Sequence, residues 1–144
     1  MKMLDQINKI INGEVPPPPV AQLIGFKLVS AKPGEAIVEL QADRRHANPM
    51  GTAHGGILCD IADAAMGIAY ATLLDEDESF TTLELKINFL KPVWNARLRA
   101  VAVVVRKGKT VGFTECTVTD EKDDLVARAS STCLTLRGEQ AKGR

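Results

Sequence analysis

The run from Ile57 to Leu74, ILCDIADAAMGIAYATLL, is apolar almost all round and carries only two charged side chains, Asp60 and Asp63. A helix with no polar face has none to present to water, so another layer of the chain must wrap it. Asp43–Ala53, a turn-rich loop with Asn48-Pro49 and Gly51, leads into it, and Gly55 and Gly56 sit where loop becomes helix. Near membrane-span length, the run still carries two aspartates, each costing about 2.5–3.5 kcal/mol at a bilayer centre. A buried helix of a soluble protein is the better reading.

Strands are the wrapping material. Phe26–Ala31 and Ala36–Ala42 flank the turn Lys32-Pro33-Gly34-Glu35, and the second run alternates with the period of a sheet. After a polar turn at 75–79, Leu83, Leu85, Ile87 and Phe89 alternate with Thr82, Glu84, Lys86 and Asn88. Leu98–Val105, Thr110–Thr119 and Leu125–Leu136 follow, joined by Lys107-Gly108-Lys109 and by the acidic turn 120–124. Such short links require antiparallel pairing. The long apolar helix is then the one partner available for the sheet's apolar face, which predicts an α+β fold with an antiparallel sheet wrapped around a central helix.

Upstream, Leu4, Ile7, Ile10 and Ile11 recur at helical spacing, and Pro16–Pro19 predict an extended connector. Residues 1–20 therefore read as helix plus connector, 21–137 as one domain, and 138–144 as a polar, frayed tail. The formal net charge is zero, from 18 basic and 18 acidic residues, which argues against a nucleic-acid partner. Three cysteines without C-x-x-C spacing and no apolar leader at the N-terminus point to reduced thiols in the cytoplasm. Two histidines without a cysteine cluster argue against a zinc site, and neither metal nor redox cofactor is expected.

At the helix start, unpartnered backbone N–H groups and the helix dipole suit a developing oxyanion, and glycines at 55 and 56 let a ligand oxygen approach. Asp63 is a candidate base or nucleophile, its pKa raised by burial. Asp60 is equally acidic, and periodicity alone does not choose between them. Asp63 follows Gly55 by eight residues, about 12 Å along one helix. A reacting carbonyl needs donor and base within about 3–3.5 Å, so one chain does not easily supply both. A second copy would have to bring its helix alongside, antiparallel.

The run Asn48, His54-Gly55-Gly56, Asp63 and Ala65, followed by TTLELKINFLKPV, resembles the hotdog-fold acyl-CoA thioesterases, most closely the phenylacetate-degradation (PaaI-like) subgroup. The resemblance runs from the first strand to the last and leaves out the N-terminal helix and prolines. It implies that Gly55 donates its N–H to the thioester carbonyl, and that Asp63 of the opposite subunit is base or nucleophile. Asn48 would hold the attacking water or substrate, and Thr82 would position water beside the carboxylate, a register slip exchanging it with Thr81. His54 and Gly56 would contact substrate at the helix entry, His54 chiefly as a structural residue. An obligate homodimer, paired into a tetramer, acting on an acyl-CoA thioester is also implied.

Arg44, Arg45, Lys91, Arg106, Lys107 and Lys109 are candidates for the coenzyme A phosphates. Small residues at Ala62, Ala65, Gly67 and Ala69 suggest room for the acyl end between helix and sheet. Two other readings compete: a hotdog dehydratase or hydratase using His46 with Asp60, and a non-catalytic acyl-CoA-binding module.

Overall fold

The computed structural model describes residues 2–144. Six strands form one antiparallel sheet: β1 (Lys27–Lys32), β2 (Glu35–Ala42), β3 (Ser79–Phe89), β4 (Ala96–Lys107), β5 (Val111–Thr119) and β6 (Leu125–Leu136). Their order is β1-β2-β4-β5-β6-β3, so β1 and β3 are the edges. Helices α1 (Lys2–Ile11) and α2 (Pro19–Ile24) precede the sheet, and α3 (Gly55–Ala71) carries the chain from β2 across one face to β3 on the opposite edge. Among the described residues no helix is long and apolar enough to cross a membrane.

The core lies between α3 and the centre of the sheet, chiefly β2, β4 and β5. Ala62, Ala65, Met66 and Ala69 are fully buried against residues such as Val38, Leu98, Ala100 and Val118. The alanines let the helix lie close to the strands, and strand alternation supplies the matching apolar face. Where β3 crosses α3, Gly67 faces Phe80, whose ring lies 3.1 Å from where a Cβ would stand.

Pro19 overturns the expectation that the whole proline tract is extended. It opens α2, with Pro18 in extended backbone before it. Proline is tolerated in the first helical turn because its missing N–H would have no intrahelical partner there. The apolar face of α1 docks on the far end of α3, with Ile7 6% exposed in a cluster with Tyr70, Ala71 and Leu74. In the tail, residues 138–141 form a single 3-10 turn.

Strand β3 departs from strict alternation at one position. Thr82 pairs with Cys133 and Glu84 with Thr132, which leaves Leu83 as an unpaired bulge, 57% exposed. One inserted residue inverts the parity of a strand. Phe80 and Thr82 face α3 before the bulge, and Leu85 and Ile87 pack on the core after it. The sequence pattern had set Leu83 with Leu85 and Ile87, and Thr82 on the other face; the bulge reverses that for both.

Candidate active site

Helix α3 is not wrapped all round. Gly56, Asp60 and Asp63 are exposed, and Cys59, Ala64 and Ile68 are half-buried. These positions recur at helical spacing, so they form one stripe, and it runs beside the open edge strand β3. Asp63 therefore sits on an uncovered face rather than inside the core. Thr82 donates its hydroxyl to Asp63 Oδ1 at 3.3 Å. Partial burial raises the Asp63 pKa above the usual aspartate value, and the Thr82 hydrogen bond opposes that shift. Asp60 is raised by desolvation and then by the nearby charge of Asp63. Asp63, not Asp60, has the strand partner, and Thr82 rather than Thr81 supplies it.

The helix start is arranged around His54. Its side chain caps α3 by accepting the Gly56 N–H on Nδ1 at 2.9 Å. Gly56 is thereby committed: its N–H is taken, and a Cβ there would stand 3.0 Å from His54 Nδ1. Among the described residues the Gly55 N–H makes no hydrogen bond, and it lies where the helix dipole is positive. The side on which a Gly55 Cβ would project is filled by the Phe89 ring, 2.8 Å away at Cζ. A side chain at 55 would displace the exposed Phe89 ring, a contact the sequence does not show, since nothing in it brings β3 to the helix start.

Asn48 organises the preceding loop. Its Oδ1 accepts the N–H groups of Met50 and Thr52, and its Nδ2 donates to Thr52 Oγ1 at 2.7 Å. Asn48 and Gly55 line one cleft of about 410 Å³, closed by Leu58 and by residues 89–93. Asp63 and Thr82 line another, of about 370 Å³, with Cys59, Asp60 and Leu85. A single chain thus divides the candidate residues between two clefts. Cys59, half-buried beside both aspartates, is a neighbour that the sequence reading did not single out.

The remaining candidates are less free. Arg45 is held by Asp43 in a paired contact, 2.9 Å from Nη2 to Oδ2, which lowers Asp43 to about 2. Arg44 is exposed, but neither arginine lines the Asn48–Gly55 cleft. Lys91 does, with its ammonium held by Asp120 at 2.6 Å and Asp124 at 2.8 Å. Arg106 and Lys107 end β4 and Lys109 lies in the turn to β5, near the C-terminal end of α3, where Lys107 lies over the Tyr70 ring. His46 is buried, with Nδ1 accepting the Asp43 N–H and Nε2 2.7 Å from the Ile24 carbonyl. Both ring nitrogens are used in holding the loop, so the His46–Asp60 pair of the dehydratase reading does not form. Ala62, Ala65 and Ala69 offer no room for an acyl group, because the sheet fills the space against them.

Comparison with known proteins places the fold. The family model described as Thioesterase superfamily matches residues 50–127. A 1,4-dihydroxy-2-naphthoyl-CoA hydrolase from Listeria monocytogenes is 30% identical, over 77% of this chain and 90% of that protein. Human acyl-coenzyme A thioesterase 13 is 29% identical, over 73% and 76%. A point-mutant structure of the phenylacetic acid degradation protein PaaI from Thermus thermophilus superposes with a TM-score of 0.76 at 30% identity, covering 81% of this chain and 98% of that one. The E. coli PaaI protein shares the fold, with a TM-score of 0.81 at 22% identity, covering 90% and 93%. With an antiparallel hotdog sheet, a central helix and a carboxylate on that helix's open stripe, the chain belongs to the thioesterase superfamily and is a thioester hydrolase.

Proposed function

We propose that this enzyme hydrolyses an acyl-CoA thioester to the free acid and coenzyme A, at sites each built from two copies of the chain. The observation that carries the reading is the division of the candidate residues between two clefts of one chain. An antiparallel neighbour laid along the Gly56–Asp63 part of the open stripe of α3 and the unpaired edge of β3 would bring one copy's Asn48–Gly55 cleft to the other's Asp63 and Thr82. An exposed strand edge invites such pairing, and a two-fold axis would create two equal sites. On the outer face of the sheet, Val103, Val111 and Phe113 are exposed large apolar residues, which supports pairing of dimers into a tetramer.

In this scheme the thioester carbonyl oxygen accepts the Gly55 N–H, which stabilises the negative charge that develops there. Asp63 either takes a proton from water, whose oxygen attacks the carbonyl carbon, or attacks that carbon itself to form an anhydride that water then hydrolyses to the free acid. The C–S bond breaks and coenzyme A leaves as thiolate, to be protonated. Thr82 holds Asp63 in place, and Asn48 keeps the loop beside the substrate. Coenzyme A is part of the substrate, and the scheme calls for no other cofactor.

Complementation tests the shared site. Asn48→Ala and Asp63→Ala chains, each nearly inactive alone, should regain coenzyme A release when refolded together, because each heterodimer keeps one intact site. Verified heterodimers with no regained activity would overturn the two-chain site.

A further inference from the structure

Asp63 and Thr82 also line a third space, an apolar groove of about 360 Å³ on the other side of the carboxylate. It runs along α3 from Asp63 to Ala71, about 12 Å by helical rise. Gly67 and Ile68 form its floor with Phe80, while Met3 and Ile7 of α1, with Pro18 and Val20, form the opposite wall. Asp63 and Thr82 carry the only polar side chains of its lining among the described residues. The groove is thus apolar throughout, with one polar end, and that end is the carboxylate. The wall from α1 and the proline segment lies outside residues 50–127, the part matched by the family model.

A thioester whose carbonyl carbon meets Asp63 must send its acyl group somewhere from that point. Towards the sheet the way is closed by Ala62, Ala65 and Met66, all fully buried. We infer that the acyl group runs along the α1–α3 groove, and that Ala71 at its far end and Met3 on its wall set the acyl length accepted. The substrates are thioesters of apolar acids long enough to run along this groove, in preference to acetyl or polar acyl groups. A volume of this size fits an acyl chain rather than a whole acyl-CoA, whose nucleotide stays outside. The inference rests on the proposed function, because it takes Asp63 as the point where the carbonyl binds.

The test is a series of acetyl-, butyryl-, octanoyl- and lauroyl-CoA, with released thiol measured for the wild-type protein, Ala71→Phe, Met3→Phe and Asp63→Asn. In the wild type kcat/KM should rise from acetyl to octanoyl. Filling the groove displaces at least two methylenes, so each phenylalanine variant should lower the lauroyl-to-butyryl ratio of kcat/KM about tenfold. Should Ala71→Phe fail to fold, Met3→Phe fills the same groove from a half-buried position. Folded variants with an unmoved ratio, while hydrolysis still depends on Asp63, would overturn the groove assignment and leave the site standing. Undiminished turnover by Asp63→Asn would instead overturn the site, and the groove with it.

Discussion

The Thr82 hydroxyl meets the Asp63 carboxylate at 3.3 Å across the gap between β3 and α3. That contact exists because Leu83 bulges out of the strand one residue later and shifts Thr82 to the helix side. Bulges next to active sites commonly re-aim a side chain in this way. The hydrogen bond favours the charged carboxylate, whereas partial burial favours the neutral one, and burial prevails.

The pH profile should register this balance. In the proposed scheme Asp63 works as carboxylate, so kcat/KM should fall as pH drops through its raised pKa. Thr82→Val removes the group that lowers that pKa, and the acid limb should move to higher pH. The loss on the plateau should be about tenfold, the scale of a hydrogen bond to a charged group. Asp63→Asn should cost about 10²–10⁴-fold as a lost base. An acid limb that stays in place in Thr82→Val would remove Thr82 from this role.

The same shift bears on stability. A carboxyl group whose pKa is higher in the folded than in the unfolded chain binds more protons when folded, between the two values. Stability then declines as pH rises through that window, and the loss persists above it. Asp63→Asn should therefore melt higher than wild type at neutral pH, with the advantage shrinking towards pH 3.8, the unperturbed value. Thermal melts of both proteins across pH check this. A lower melting temperature for the variant at neutral pH would contradict the direction of the shift.

Gly55 carries a packing constraint alongside its proposed chemical one. An alanine Cβ would stand 2.8 Å from Phe89 Cζ, so the ring or the strand end must move. Because the Phe89 ring is 54% exposed and can swing aside, Gly55→Ala should cost about 1 kcal/mol, the low end of overpacking penalties. Combined with Phe89→Leu, most of that loss should disappear. Denaturant titration of the two single variants and the double variant measures the coupling; additive losses would show that the two residues do not compete for space.

Much of this architecture could be read in the sequence because it rests on periodicity. The long apolar run required a covering layer, and the alternating runs with short links supplied an antiparallel one. The site residues came from a motif, and their role was tied to dimerisation by helical rise alone. What stayed hidden depends on contacts between distant segments. The bulge at Leu83 cannot be seen in an alternation that runs through it unbroken. Pro19 within a proline tract does not announce a helix that starts there. The apolar face of α1 was legible, but its place beside Asp63 was not, because that follows from how α1 docks on Tyr70 and Leu74. The small residues of α3 were read as room for substrate, although most of them are close-packed against the sheet.

His46 separates the hydrolase chemistry from a histidine-dependent one. Its ring accepts the Asp43 N–H at 3.1 Å and lies 2.7 Å from the Ile24 carbonyl, an arrangement that assigns the proton to Nε2. Its backbone carbonyl accepts the N–H of His54, the helix cap, at 2.8 Å. The residue joins α2, the loop around Asn48 and the start of α3. His46→Ala leaves the half-buried Ile24 carbonyl without its side-chain partner and opens space in the loop, which should cost about 1–3 kcal/mol in unfolding free energy. Turnover should fall only through looser placement of Asn48 and Gly55, chiefly as a raised KM, with the acid limb of kcat where Asp63 sets it. A general base would behave otherwise: its loss would lower kcat by orders of magnitude and remove its own ionisation from the profile. Steady-state kinetics of His46→Ala across pH, at a temperature where the variant remains folded, decide between the two roles.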